Sequence, residues 1–387
     1  MYTFFLKNIE CSAEISNFES EKVSVMYLKR LSLINFKNLE QQTIAFERGI
    51  NCFVGDNGTC KTNIVDAIHY LSMCKSAFGM SDPQCVMHGQ SSFLVEGAYE
   101  NEAGRNELIV CSYARGSHKT IKRNGKAYER FSDHIGFIPI VIVSPADTVL
   151  ISDSAEERRK YLNSFISQFD RDYLAAMIRY NATLAERNKY LKFGADEQML
   201  QIYDMQLAAA AKPIYERRKE MAQRLQPIVA DYYKLLCNDR EQVELEYRSD
   251  LAENSLTEQL AQARAKDTVL GFTTVGIHRD EMLFTIGGVP LRKYGSQGQQ
   301  KSFIVALKLA QYQIINEQTG KTPMLLLDDV FDKLDESRVA RLIQIVASDK
   351  FGQIVITDCS HERMSRLLEN SNINYKLFDV TYGKVLE

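Results

Sequence analysis

The sequence predicts an α/β protein with a mainly helical segment inserted into it. Apolar residues recur with a period of two through most of residues 27–145, which is typical of β-strands. The period then changes to about 3.6 for roughly 110 residues, which is typical of helices. Beyond residue 322, apolar runs that end in acids alternate with a helical stretch, as in a parallel sheet with crossover helices.

The first third of the chain is predicted to form strands around one helix. The stretches LKRLSLINF, NCFVG, FLVEGAYE and IPIVIVSP lie between turn residues. Asn124 and Gly125 predict a hairpin turn, because a two-residue turn requires positive φ angles. The exception is KTNIVDAIHYLSMC at residues 61–74, whose apolar residues fall at helical spacing. One helix therefore follows the glycine loop at residues 55–62.

The inserted segment, residues 151–267, is predicted to form a short helical arm. In RDYLAAMIRYNATLAERNKYL a two-helix seam is expected, with asparagines as polar register markers. Its two rows are Leu174, Asn181 and Asn188, and Met177, Leu184 and Leu191. Pro213 is expected to start or kink a helix, and the apolar stripe beyond it is expected to pack against the first helix.

The last third of the chain is predicted to return to strands near residue 268. Gly287 and Gly288 predict a hairpin turn, and an amphipathic helix is expected at residues 299–318. The runs MLLLDD and QIVITD then predict buried parallel strands, separated by the helical DESRVARLIQIVASD. We therefore expect a head from residues 26–150 and 268–387, with the arm between its two halves.

Composition excludes several classes of protein. The chain of 387 residues is 45% hydrophobic and 25% charged with only seven prolines, as in an ordinary globular protein. A net charge of -3 excludes a uniformly basic protein that coats DNA, although a local basic face is compatible with it. No apolar run approaches the roughly 20 residues that span a bilayer.

The cysteines and the N-terminus predict a cytoplasmic protein. The eight cysteines are scattered with no pair at metal-ligand spacing, which favours a reducing compartment. The N-terminus lacks the order of charged, apolar and small residues of a signal peptide. Residues 1–25 precede a second methionine, Met26, that opens a strand pattern, so we expect them to be an extension or the product of a misplaced start codon.

The loop between residues 55 and 62 has the composition of a phosphate-binding loop. It lies between an apolar strand and a helix, where backbone N–H groups and the helix N-terminus favour a phosphate. Lys61 would neutralise phosphate charge, and Thr62 would ligate Mg²⁺. The alternative is a plain strand-turn-helix connection with a solvated lysine. The candidate ATP-binding residues here are Gly55, Asp56, Asn57, Gly58, Thr59, Cys60, Lys61, Thr62 and Asn63.

Two later segments favour the nucleotide interpretation. Asp328 and Asp329 end a buried strand, where the first carboxylate would hold hydrated Mg²⁺ and the second would orient the attacking water. Ser296 and Gly298 precede a helix, whose exposed N–H groups suit a γ-phosphate. Taken singly, the first pair could be an ordinary strand end and the second a simple helix cap. The order of loop, helical insertion, helix start and acid-tipped strand supports a nucleotide site with Lys61, Asp328 and Asp329 as its catalytic residues.

This order of motifs resembles the ABC-type ATPase heads of the chromosome-maintenance and Rad50-like group, and within it the bacterial recombination mediators. The resemblance extends from Met26 to near the C-terminus. The segments that carry it are LINFKNL, GDNGTCKTN, DAIHYLSMCKS, SPADTVLISDSAEERRKYL, YNATLAERN, IHRDEM, GSQGQQKS and LLLDDVFDKLD. It implies a P-loop ATPase head (lobe I) with a mainly helical inserted domain (lobe II), ATP and Mg²⁺ as cofactors, and ATP-driven head-to-head dimerisation on DNA.

The resemblance also implies partners and further site residues. It implies work with the mediators RecO and RecR in loading a recombinase at gaps in damaged duplex DNA. The signature segment would act on the ATP of a second copy, with Asp335 at the same dimer seam and Thr357, followed by Asp358, near the γ-phosphate. The segment consists of Ser296, Gln297, Gly298 and Gln299.

Cys60 departs from the family pattern, which has glycine before the lysine. A non-glycine residue at positive φ costs on the order of 1 to 2 kcal/mol, and we expect this to weaken ATP binding about tenfold. Its position beside a helix N-terminus and Lys61 predicts a lowered thiol pKa and an oxidation switch. The alternative is a tolerated family variant.

Three functions remain to be weighed. The first is an ATP-gated DNA-binding dimer with slow hydrolysis, whose DNA contacts would be to phosphates. Its candidate basic clusters are Arg158, Arg159 and Lys160, and Arg217, Arg218 and Lys219, although these could be solvated helix faces. The second is a nucleotide-binding interaction adapter with little or no hydrolysis. The third, a transporter ATPase subunit, is disfavoured by the helical insertion.

Overall fold

The computed structural model describes residues 24–101, 103–194, 196–237, 241–332, 334–369 and 374–386. Residues 1–23 of the predicted extension lie outside the described residues. The first strand begins at Ser24, so Met26 lies within it.

Strands and helices alternate along the described chain. The strands are β1 (Ser24–Phe36), β2 (Leu39–Ala45), β3 (Ile50–Val54), β4 (Ser92–Asn101), β5 (Asn106–Ala114), β6 (Thr120–Arg123), β7 (Lys126–Ala127), β8 (Ile140–Val143), β9 (Val243–Arg248), β10 (Glu281–Ile286), β11 (Val289–Pro290), β12 (Lys321–Thr322), β13 (Met324–Asp328), β14 (Ile354–Asp358), β15 (Tyr375–Thr381) and β16 (Lys384–Leu386). The α-helices are α1 (Lys61–Met73), α2 (Asp82–Cys85), α3 (Val149–Ser152), α4 (Ala155–Ile166), α5 (Arg171–Phe193), α6 (Glu197–Cys237), α7 (Leu256–Leu270), α8 (Leu291–Tyr294), α9 (Gln297–Thr319), α10 (Glu336–Val346) and α11 (His361–Glu369).

A mostly parallel sheet positions the candidate site. Its strand order is β16-β15-β3-β14-β13-β8, and only β16 pairs antiparallel within it. β3, β13 and β14 are buried along their whole length, which explains their continuous apolar sequences. Because the strands are parallel, the phosphate loop after β3 and the acids that end β13 and β14 meet at one edge of the sheet.

Helix α1 lies between this sheet and a second, mostly antiparallel sheet with the order β12-β1-β4-β5-β6-β7. Ile64, Ile68 and Leu71 are fully buried in the core that the two sheets share with α1. Burial of each such side chain stabilises the fold by roughly 1.5 to 3 kcal/mol. Helix α1 is therefore fixed by packing against both sheets, and it anchors the C-terminal end of the loop that precedes it.

The helical arm differs in register from the prediction. The row predicted at Leu174, Asn181 and Asn188 is wrong by one residue, and Asn181 is exposed. The rows that face the interior are Tyr173, Tyr180 and Arg187, and Met177, Leu184 and Leu191. The physical reason is that Arg187 forms buried ion pairs with Asp204 at 2.7 Å and with Asp267 at 2.8 Å. Pro213 does not start a helix but lies inside α6.

Two further predictions, for the end of the arm and the residues just after it, are wrong. β9 lies inside the region predicted as helical, because it pairs antiparallel with β10. Strands do not return at residue 268, since α7 continues to Leu270 and Gly271 ends it in the left-handed conformation. The predicted hairpin turns at Asn124-Gly125 and Gly287-Gly288 are confirmed by the pairs β6-β7 and β10-β11. Within the described ranges, no helix combines the length and the apolar character that crossing a membrane requires.

Candidate nucleotide site

The phosphate loop has a curved backbone that depends on its glycines. Gly55 has φ of +154°, and a Cβ on it would lie 2.2 Å from the carbonyl oxygen of Val380. Gly58 has φ of +85°, and Thr59 Oγ1 donates to the Asp56 carbonyl at 2.8 Å. At the start of α1 the Asn63 N–H donates to the Cys60 carbonyl at 2.9 Å, whereas the N–H groups of Lys61 and Thr62 have no partner among the described residues. Cys60 supplies no side-chain cap to them. The loop therefore presents backbone donors to an anion.

Lys61 lies over this loop. Its Nζ donates to the carbonyl oxygens of Gly55 at 2.6 Å and Asp56 at 2.8 Å. The residue is only 7% exposed. A lysine held in this way brings its charge to the mouth of the loop, which excludes the alternative of a lysine that is merely solvated.

Thr62 connects the loop to the acids at the end of β13. Its Oγ1 donates to Asp328 Oδ1 at 3.1 Å, and Thr357 Oγ1 donates to the same oxygen at 2.8 Å. Burial raises the pKa of Asp328, whereas the hydrogen bonds from Thr357 and Thr62 act in the opposite direction. A hydroxyl and a carboxylate oxygen this close together suit a hard cation such as Mg²⁺.

Asp329 is held in an unusual conformation beside this pair. Its φ is 49°, and its N–H bonds to the hydroxyl of Thr357 at 3.0 Å. Thr357 therefore orients both acids. Asp358, the residue after Thr357, forms an ion pair with Arg363 instead. Both of its carboxylate oxygens accept from the Arg363 guanidinium, at 2.7 and 2.6 Å.

Cys60 occupies the loop in the left-handed region, with φ of 86° and ψ of 10°. Its side chain is 9% exposed and belongs to the apolar core around α1. The prediction of a lowered thiol pKa is wrong, because burial raises the pKa of Cys60 more than Asn38 or Lys61 lowers it. The proposed oxidation switch loses its physical basis.

The signature segment begins helix α9 and faces solvent. Ser296 and Gln297 are exposed. Gln299 donates its backbone N–H to Ser296 Oγ at 3.3 Å, and its side-chain oxygen accepts from the Ser296 N–H at 2.6 Å. These two bonds form a capping box that fixes the first turn of α9, and Gly298 lies between its two residues in sequence.

The structure brings the signature segment next to Asp335. Asp335 caps α10 by accepting from the Arg338 N–H at 2.9 Å, and its carboxylate also pairs with the Arg338 guanidinium at 3.2 Å. That guanidinium lies 2.7 Å from the position of a Cβ on Gly298. Sequence reasoning missed Arg338, although its position three residues after a helix cap could have suggested it.

The candidate residues therefore form two groups. The loop, Asp328, Asp329 and Thr357 share one hydrogen-bond network. The signature segment and Asp335 lie on either side of the Arg338 guanidinium. No hydrogen bond among the described residues joins the two groups.

The basic clusters proposed for DNA are in part structural. Arg158 is 8% exposed and pairs with Glu281 at 2.8 Å. Arg218 is 1% exposed and pairs with Asp280 at 3.0 Å. The prediction that these two residues contact DNA or lie on a solvated face is wrong, because both are buried among acceptors. His278 is likewise satisfied, by Tyr180 at 2.8 Å and the Thr273 carbonyl at 3.1 Å.

Comparison with known proteins identifies close relatives. The model of the RecF/RecN/SMC N terminal domain family matches residues 27–382. The DNA replication and repair protein RecF of Bacteroides thetaiotaomicron is 46% identical over 365 residues, which cover 94% of this chain and 99% of that protein.

Solved structures give the same result at the level of the fold. The recombination mediator protein RecF with ATP, of the RecFOR pathway, is 30% identical with a TM-score of 0.85, and the match covers 95% of this chain and 99% of that one. The Smc head domain of Pyrococcus furiosus, at 15% identity and a TM-score of 0.55 over 93% of this chain and 95% of its own, shares the fold. These matches confirm the predicted ABC-type ATPase head.

Proposed function

Because this chain belongs to the RecF/RecN/SMC family, and within it to the RecF proteins of DNA replication and repair, we propose that it is an ATP-dependent, DNA-binding recombination mediator. It binds ATP and Mg²⁺, dimerises head to head and helps to load a recombinase on duplex or gapped DNA. The observation that supports this proposal is that the candidate residues of one chain form two separate groups, one at the phosphate loop and one at the start of α9.

The phosphate loop and β13 supply the first half of the proposed site. Backbone donors of residues 55–63 and the Lys61 ammonium would bind the triphosphate. The residues that fit Mg²⁺ are Thr62 and Asp328, whose oxygens lie 3.1 Å apart, and the ion would neutralise phosphate charge. Asp329, positioned by Thr357, would orient the attacking water. We propose slow hydrolysis that serves release from DNA.

The signature segment and Asp335 supply the second half to a partner copy. Ser296 and Asp335 are both exposed, as a group that completes another chain's site must be. The two chains would enclose two ATP molecules, and each nucleotide would contact both copies. This arrangement makes dimerisation depend on ATP.

The wider assembly rests on family membership. DNA contacts would be made to phosphates and would weaken as salt rises. RecO and RecR are the proposed partner mediators, since the RecF structure similar to this chain is described within the RecFOR pathway. We also propose that residues 26–150 and 268–387 form the head and residues 151–267 the arm, with β9 as the arm's contribution to a sheet shared with β10.

Sedimentation velocity with and without ATP and Mg²⁺ tests the proposed dimer. We expect the wild type to dimerise with ATP, Lys61→Met to lose ATP binding, and Ser296→Arg to bind ATP but remain monomeric. An equimolar mixture of the two variants should form some heterodimer, since it retains one complete site. A wild type that binds ATP but remains monomeric would overturn the arrangement in trans.

The same preparations separate a mediator with turnover from the adapter. Phosphate release is measured with and without duplex DNA. Release that duplex DNA increases supports the ATPase, and tight ATP binding without release in either condition supports the adapter.

A further inference from the structure

A cavity lined by both polar and apolar side chains lies away from the phosphate loop. Its volume is about 560 Å³, which is within the range of small-molecule sites. Its walls come from α1, β8, α4 and α9 and from the loop that follows α1. Two of these helices begin at the two groups of candidate residues, since α1 starts at Lys61 and α9 at Gln297. A ligand in this cavity would therefore contact both α1 and α9.

One buried acceptor in this cavity has no partner. Gln311 on α9 is 6% exposed, and its side-chain oxygen accepts no hydrogen bond among the described residues. A buried amide oxygen without a donor is unfavourable, because it has lost its hydrogen bonds to water. This cost is removed if a ligand donates an N–H or O–H to the Gln311 oxygen.

His69 provides a second acceptor. Its Nδ1 bonds to the Lys75 carbonyl at 3.0 Å, and because a carbonyl only accepts, Nδ1 carries the proton. Burial lowers the pKa of His69 to about 4, so the ring is neutral at pH 7. Its Nε2 is then an acceptor for a donor on the ligand.

Three lysines line the cavity. Lys308 is buried and pairs with Asp147 at 2.6 Å. Lys160 pairs with two carboxylates of its own helix, at 2.8 and 2.9 Å. Lys75 is exposed at the mouth of the cavity and forms no ion pair among the described residues, so its ammonium is the positive charge available to an anion.

Apolar and aromatic groups complete the walls. Tyr161 and Phe78 line the cavity together with Ile140 and Ile142 of β8. A ligand that fits this lining has three parts. They are an anionic group for the lysines, a flat or apolar body for the aromatic and apolar residues, and N–H or O–H donors for Gln311 and His69. We propose that this cavity binds a nucleoside 5′-monophosphate, with its phosphate toward Lys75 and the other lysines and a base amino group on Gln311.

Calorimetric titration of the full chain with AMP tests this site. The Lys61→Met background removes the contribution of the phosphate loop, so a failure here is distinct from a failure of wild-type ATP binding. We expect one saturable AMP site in this background, weakened about tenfold by Gln311→Leu. Adenosine and inorganic phosphate, titrated separately, should each bind at least about tenfold more weakly than AMP, since each lacks part of the recognition.

The matched control is Gln313→Leu. Gln313 is half-buried two residues further along α9 and bonds to Glu317 at 2.9 Å, outside the cavity. It should leave AMP affinity unchanged, and thermal melting should show that both variants fold. Absence of saturable heat with AMP, equal affinities in the two variants, or inorganic phosphate binding as tightly as AMP would each overturn the proposal.

Discussion

The backbone of Cys60 is strained in the folded protein. The sequence suggests that a cysteine before Lys61 would weaken ATP binding. In the structure Cys60 already has a φ of 86° in the folded loop. The left-handed conformation of Cys60 therefore lowers the free energy of unfolding. It does not lower the affinity for ATP, because the loop already has this conformation before ATP binds.

Replacing Cys60 tests this account. We expect Cys60→Gly to be more stable than Cys60→Ala by about 1 kcal/mol, because both lose the thiol but only alanine keeps the strained backbone. Denaturant unfolding measures the difference. We expect the ATP affinities of Cys60→Gly and the wild type to agree within about threefold, a difference under 1 kcal/mol. A tenfold gain in affinity for Cys60→Gly would show that the strain opposes binding.

Arg218 shows at the scale of elements how the arm is fixed to the turn before β10. It lies on α6, donates to the Tyr173 hydroxyl of α5 at 3.1 Å, and donates to the Ile277 carbonyl at 2.8 Å. Its guanidinium also pairs with Asp280, whose pKa is raised by burial and lowered by Arg218. One buried cation therefore joins α5, α6 and the turn.

Removing this cation should loosen the junction. We expect Arg218→Met to lower the free energy of unfolding by about 3 to 5 kcal/mol, because it leaves Asp280 buried without its counter-charge. The neighbouring Lys219 is exposed, so Lys219→Met should change stability by less than about 0.5 kcal/mol. Urea unfolding of both variants gives the comparison, and equal stabilities would show that Arg218 contributes no more than a surface lysine.

Buried histidines make the stability of the whole molecule depend on pH. Burial lowers the pKa of His278 to about 4, against about 6.5 in an unfolded chain. Between these values the unfolded state binds more protons than the folded state. The contribution of His278 is therefore fully present above about pH 6.5 and is lost progressively as pH falls toward 4.

A histidine substitution isolates this effect. At pH 5 His278 should cost about 2 kcal/mol of stability relative to pH 7, and His278→Asn should lose that pH-dependent part. His88 is exposed, so His88→Asn should retain the wild-type pH dependence. Unfolding free energies at pH 7 and pH 5 give the test, and an unchanged pH dependence in His278→Asn would contradict the prediction.

The local features of this protein follow from its amino-acid sequence alone. The strand before Gly55, helix α1, the apolar strands that end at Asp328 and Asp358, and the hairpin turns all follow from short-range periodicity and turn chemistry. These signals are local because they depend on one element's own residues and on the face that it buries. The phosphate loop was therefore recognisable despite Cys60.

The partners of each side chain, in contrast, depend on the three-dimensional fold. It showed that Arg187 and Arg218 are buried because acids from distant segments surround them, and that β9 is a strand because β10 pairs with it. It also placed Arg338 against Gly298 and left Gln311 without a donor. Such outcomes depend on residues far apart in the chain, and no periodicity within one segment encodes them.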